Sequence, residues 1–477
     1  MSEKEAIHWE SKHEIAAKDK VPVRQKICYG FGGLSDFFIQ NTIQALAIPI
    51  FAVGMGLDPL ILGFVLAGTK IVSAIADPLV GILSDRTRSR WGRRKPFLIA
   101  SAVLAGVLLP LAFRVPAVSE TLQFGYIAAI LSFYFLTHSF YAVPYLALGY
   151  ELTDDYDERT NIFAWKSYIG TIGIFAGNWA YWFTLLPVFG NEMNGAQVLG
   201  VMTGVIILIG SVFVTRGTRE IGERKHVEMP KEDEIPIRKA LKATMSNRSF
   251  LMIQGAVLVV ALGIGIDATI GMYLHVHYTC GGDKVFASVI GGVGGTLSTG
   301  VIFVALGFGT WLSKRLGKRM AAMVGLGVML LGGCSIPWAM SPVFPWLIVI
   351  VWMLHQFGSQ MSNLLYSSMM ADVCDEDELS TGERREGSYA AAGSFLNKSM
   401  QVLVLILSGA MPRLAGYVDT SVPPSTEQLE RMKVLLYSTD IIGVLLALAL
   451  LWCYPLTRER CRQIRAKLSA RNKDSEG

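Results

Sequence analysis

Charge is scarce in this chain: Asp, Glu, Lys and Arg make up 17% of 477 residues, where a soluble domain carries about 25%. With 52% hydrophobic residues, that shortage excludes an ordinary soluble globule and points to a bilayer. Cysteine is also sparse. The six, Cys28, Cys280, Cys334, Cys374, Cys453 and Cys461, show no CxxC spacing, so neither disulfides nor structural zinc are expected. No HExxH, GxSxG, Walker or Rossmann arrangement stands in a fitting context, so an enzyme is not expected, and neither cofactor nor metal is implied. The chain opens on a charged run, MSEKEAIHWESKHEIAAKDK, instead of a short apolar core with a small-residue cleavage site, and a removable signal peptide is not expected. The 48 glycines and 18 prolines lie largely in apolar stretches, where helix packing tolerates them.

What is present is apolar length. Twelve segments can cross roughly 30 Å of hydrocarbon, starting near positions 27, 57, 96, 122, 160, 196, 248, 283, 319, 343, 386 and 430. The 43 Lys and Arg are distributed unevenly: 35 fall in the tails and loops of one side, five on the other, and three inside spans. This bias predicts a cell-membrane protein with both termini in the cytoplasm, and it accounts for the net charge of +5 without nucleic-acid binding. The expected organisation is an N-terminal tail (1–26), a six-helix bundle (27–215), a cytoplasmic middle loop (216–247), a second six-helix bundle (248–455) and a basic tail (456–477). GILSDRTRSRWGRRKP after span 2 has an echo in GTWLSKRLGKRM after span 8. Paired halves with equivalent loops predict a transporter that rocks about a central site.

The three intramembrane cations are Lys70, Lys166 and Lys398. A charge at the bilayer centre costs about 2.5–3.5 kcal/mol on insertion scales, so each needs a partner, water or a role. On span 2, Lys70, Ser73 and Asp77 return to nearly one helix face; on span 1, Asp36, Gln40 and Gln44 do likewise. Both stripes point at a cavity. His138, Tyr141 and Tyr145 repeat on span 4, and Asn363 and Tyr366 stand on span 10. All five are cavity candidates, although aromatics at helical spacing are more often packing. Asp267 on span 7 is a candidate for the substrate site or an outer gate. Asp440 on span 12 is expected at the periphery, its head drawn to the interface. Asp85, Arg86, Arg159, Asp372, Asp375 and Arg385 are expected to close an inner gate, where only a network of such surface pairs carries weight.

Four stretches, YGFGGLSDFF, ADPLVGILSDRTRSRWGRRKPF, VPYLALGYELTDDYDERTNIFAWK and MMADVCDEDELSTGERREGSYAAAGSFLNK, resemble the glycoside-pentoside-hexuronide:cation symporter family of the major facilitator superfamily. The resemblance implies an all-α fold of twelve transmembrane helices in two halves and cation-coupled uptake of a sugar or glycoside. It also implies that Asp77 matches one carboxylate of the family's cation site. Ser73 stands where a second carboxylate is expected, and Ala142 replaces a carboxylate on span 4. Proton coupling through Asp77, with Lys70 as its candidate partner, is therefore expected over sodium; a gate-latching salt bridge is the alternative role for Asp77. Lys166 occupies the family's usual arginine position, and Lys398 matches a lysine that organises the cavity. The sugar-binding acid that some relatives carry on span 1 corresponds to Phe37, one residue from Asp36. Lysolipid carriage and a non-transporting sensor are the competing readings; a sensor is expected to carry a long soluble domain, whereas the tails run to about 26 and 22 residues. The expected partners are the solute, H+ or Na+, and membrane lipid, with a monomer as the functional unit.

Overall fold

The computed structural model describes residues 20–153, 155–218, 246–382, 385–420 and 422–476. Most of the middle loop and most of the N-terminal tail thus lie outside the described residues. The first six long helices are α1 (Val23–Gly54), α2 (Pro59–Arg86), α3 (Lys95–Ala112), α4 (Glu120–Glu151), α5 (Tyr156–Asn178) and α6 (Glu192–Gly217). The second six are α7 (Arg248–Thr279), α8 (Lys284–Leu316), α9 (Lys318–Ala339), α10 (Leu347–Thr381), α11 (Glu386–Leu414) and α12 (Thr426–Trp452). A basic helix, α13 (Arg458–Glu476), follows. Ten of these helices are long and apolar enough to cross a membrane. The two others among the twelve, α5 and α10, carry the polar and acidic stretches that lower their hydropathy.

Local chemistry sets where the helices begin. Asp58, Asp155, Asn191, Asn247 and Asp283 each accept a backbone N–H of the first turn, and Ser425 forms a reciprocal capping box with Gln428. These bonds satisfy donors that a helix start leaves orphaned, a strong need where water is absent.

The packing repeats. In the first half α1 lies on α5 and α6, α2 on α4, and α3 on α4 and α6; in the second, α7 lies on α11 and α12, α8 on α10, and α9 on α10 and α12. The last turns of α1 and α7 also widen in the same way, into π-helical segments at Ala47–Gly54 and Leu274–Thr279. Across the halves α2 meets α11 and α5 meets α8, the same pairing exchanged between repeats.

One apolar core runs through both halves at the end bearing the α1–α2 turn, joining residues such as Phe51 and Phe113 with Tyr273, Ile336 and Tyr417. A second core, including Phe250, Met361 and Tyr389, is confined to the second half. The molecule is thus sealed at the α1–α2 end. Gly63 and Gly409 make the seal possible: a Cβ on Gly63 would stand 2.5 Å from the Leu405 carbonyl oxygen, and one on Gly409 would stand 2.3 Å from that of Pro59. Close helix approach of this kind requires glycine.

Candidate functional site

Polar contacts reinforce the seal. Arg413 of α11 pairs with Asp58, whose other oxygen caps α2. Lys284 meets Glu192 at 2.9 Å, Tyr273 donates to the Ala52 carbonyl at 3.3 Å, and the Trp179 indole donates to Thr296 at 3.1 Å. Beneath them lies a central cavity of about 590 Å³ between α1, α2 and α4 on one side and α7 and α11 on the other. Gln40, Gln44, Lys70, Asn397 and Gln401 line it amid a largely apolar wall that includes Phe135.

Lys70 Nζ stands 5.0 Å from the centre of the Phe135 ring. Lys70 and Asp77, two turns apart on α2 and expected to be linked only through a substrate, water or cation, make no direct ion pair. Lys398 of α11 donates to Asp77 Oδ2 at 3.2 Å instead, across the boundary between halves. A two-turn separation on one rigid helix keeps Lys70 and Asp77 apart, whereas α11 crosses beside α2. Asn397, adjacent to Lys398, places this pair at the cavity edge. Ser73 Oγ lies 3.1 Å from the Thr69 carbonyl and 3.4 Å from that of Phe135, so its hydroxyl is committed to backbone oxygens.

A second cluster lies inside the first half. Asp36 accepts from Lys166 at 3.3 Å and meets His138 Nε2 at 3.3 Å, while Lys166 Nζ lies 4.8 Å from the centre of the Tyr145 ring. Three sequence candidates from α1, α4 and α5 therefore converge. Tyr141 and Tyr145 take another place than the cavity wall: both are fully buried, and their hydroxyls donate to the Gly32 and Tyr29 carbonyls. Tyr145 stacks on Tyr29 with ring centres 4.6 Å apart. On α10, Tyr366 is packed in the second core and Asn363 is exposed, so neither lines the central cavity.

Asp267 lines a different cavity, of about 460 Å³, behind α7. There Asp440 is buried, not drawn to the interface as its peripheral helix suggested, and meets His355 at 2.9 Å. His355 escaped sequence reasoning, although an ionisable group within an apolar span was the signal available for it.

Five of the six expected inner-gate charges have a partner within their own half. Arg94 joins Asp85 and Glu151. Arg159 donates to the Thr153 carbonyl at 3.2 Å, and Arg86 is exposed. Asp372 takes Lys318 at 2.6 Å and Arg465 at 2.8 Å; Arg465 also reaches Asp375, and Arg385 grips Asp377 through two bonds. Asp154 lies outside the described residues.

Two pseudo-equivalent helix bundles meeting at a charged interface, together with the relatives below, define a multi-pass integral membrane protein of the major facilitator type, a secondary transporter and not an enzyme. The chain belongs to the family described as MFS/sugar transport protein, which it matches over residues 28–458. The symporter YjmB of Bacillus subtilis is 24% identical over 453 residues, covering 94% of this chain and 96% of that protein. The isoprimeverose transporter of Lactiplantibacillus pentosus is 23% identical over 446 residues, covering 92% and 90%. Among solved structures, a point mutant of the nucleoside transporter NupG superposes with a TM-score of 0.62 at 15% identity, covering 89% of this chain and 99% of that one. The glycoside:cation symporter resemblance read from the motifs thus stands, while the sensor reading finds no support among these transporters.

Proposed function

We propose that the protein imports a sugar or glycoside by alternating access, coupled to protons in preference to sodium. The observation that carries this reading is the Asp77–Lys398 pair, a carboxylate and an ammonium contributed by opposite halves at 3.2 Å beside the cavity. A cation that binds Asp77 competes with Lys398, so loading the carboxylate loosens a tie between the halves. The pair is half open to solvent, with side chains 53% and 32% exposed for Lys398 and Asp77. Such a pair contributes under about 1 kcal/mol and thus biases an equilibrium without locking it.

Proton coupling fits the surroundings better. Sodium prefers several oxygen ligands, and Asp77 has an ammonium beside it while the Ser73 hydroxyl is already directed at backbone carbonyls. The amides of Gln40, Gln44, Asn397 and Gln401 both donate and accept, as sugar hydroxyls require, and Phe135 offers an apolar ring face. A volume of about 590 Å³ lies within the usual range for small-molecule sites. The relative that carries isoprimeverose supports a sugar. A lysolipid is the second reading, favoured by the apolar remainder of the wall, including Leu62, Leu66, Val257 and Val404. The basic loops orient the open end to the cytoplasm.

Reconstituted protein tests the proposal directly. Wild type is expected to change lumen pH as isoprimeverose or another accepted glycoside enters. Asp77→Asn should lose gradient-driven accumulation while keeping exchange. Normal accumulation in that variant would overturn the role of Asp77, and uptake of lysolipids with no neutral sugar accepted would replace the substrate class.

A further inference from the structure

The polar centre behind α7 is not used by the transport reading above. His355 Nε2 and Asp440 Oδ2 stand 2.9 Å apart, joining α10 to α12. The other ring nitrogen, Nδ1, lies 2.9 Å from the Val351 carbonyl oxygen. A carbonyl has no proton to donate, so Nδ1 carries the hydrogen of that bond. A neutral imidazole protonated at Nδ1 presents a lone pair at Nε2, and that lone pair repels an ionised carboxylate at this distance. The contact therefore holds one more proton, on Nε2 or on Oδ2.

The surroundings suit a proton site. Asp440 is 3% exposed. From α7, Asp267 faces the same cavity and lies 2.8 Å from the hydroxyl of Thr439, the residue before Asp440. His275, also of α7, lines the cavity with its Nε2 at 2.9 Å from the Ala287 carbonyl. Tyr181 is the remaining titratable lining residue, turned toward Glu192 at 3.4 Å. Lining residues from α1, α5, α8 and α9 bring no charge.

The wall of this cavity is divided between the halves. Ala45, Pro49 and Asn178 face it from the first half, and Ala268 of α7 borders both this cavity and the central one. Rocking the halves must therefore change access to the pair.

We propose that His355 and Asp440, with Asp267 beside them, form a proton-binding site separate from Asp77, loaded in the conformation sealed at the α1–α2 end and emptied as that end opens. Loading transfers one proton from water to the pair; release returns it to water and breaks the contact between α10 and α12. This rests on the proton-coupled reading above but concerns different residues.

Spin labels at Val118 and Val343, on exposed turns of opposite halves at the sealed end, test it on the full chain in nanodiscs. Electron–electron distances in wild type should show the short separation at acid pH. The ratio of long to short should rise about tenfold as the pH is raised from acid to alkaline. His355→Gln and Asp440→Asn should each remove that dependence, and Asp77→Asn should keep it. Two results would overturn the site: a wild-type distance independent of pH, or a full pH response in folded His355→Gln, which serves where Asp440→Asn does not fold. Either leaves the transport reading standing if vesicles still move protons with solute. Absence of any proton movement in wild-type vesicles overturns that reading instead.

Discussion

Glu158 shows what a single residue contributes that its place in the sequence conceals. Within ELTDDYDERT it is one acid among several, yet it is 1% exposed and accepts from Lys26 Nζ at 2.9 Å and from the Val21 backbone N–H at 2.6 Å. It fastens the start of α1 to α5. Removing one member of a buried pair costs about 3–5 kcal/mol because the other charge stays buried alone. Glu158→Ala is therefore expected to lower the melting temperature of the purified protein markedly, while Glu158→Gln, which still accepts from the backbone, should lose less. Equal melting of Glu158→Ala and wild type would disprove the tie. For the residues read as functional, type and depth were legible in the sequence, as with Asp36, Asp77 and Lys398. Their partners were not, since His138, Lys166 and Lys398 reach those carboxylates over separations of 102, 130 and 321 residues.

Helix α13 illustrates the same divide for an element. Its basic composition reads as an orientation signal, but folded it lays Arg460, Arg465 and Arg471 along the acidic end of α10, with Ile464 and Leu468 buried. The clamp is unequal. Asp372 has a side chain 5% exposed and holds both Lys318 and Arg465, whereas Asp375 is more open and meets Arg465 alone at 3.3 Å. Asp372→Asn should thus lower stability more than Asp375→Asn, which should cost under about 1 kcal/mol; thermal unfolding of the two variants side by side distinguishes them. Helix starts, by contrast, were read within four residues throughout, because hydropathy, capping residues and proline act locally.

At the scale of the molecule, the proposed alternating access needs two bundles that separate at one end while sealing at the other. Gly63 and Gly409 let α2 and α11 touch backbone to backbone at the seal. Gly409→Leu should hold that end apart, trapping the transporter open toward the α1–α2 side. Uptake in vesicles should fall at least about tenfold, while a maleimide reagent gains access to a cysteine placed at Gln44. Unchanged uptake would show that the seal tolerates a side chain there.

Amino-acid order alone determined the number of spans, their approximate starts, the repeat of six and six, and the chemical types available for a site. These follow from local quantities: mean apolarity over a membrane thickness, capping, and the family motifs on the α2–α3 and α10–α11 segments. Tertiary structure decided which charges meet. It joined Asp77 to Lys398, buried Asp440 against His355, and gave Asp372, Asp375 and Asp377 partners within their own half. Ionic pairing in a low-dielectric interior is set by distances of a few ångströms between helices, and helix order along the chain does not contain those distances.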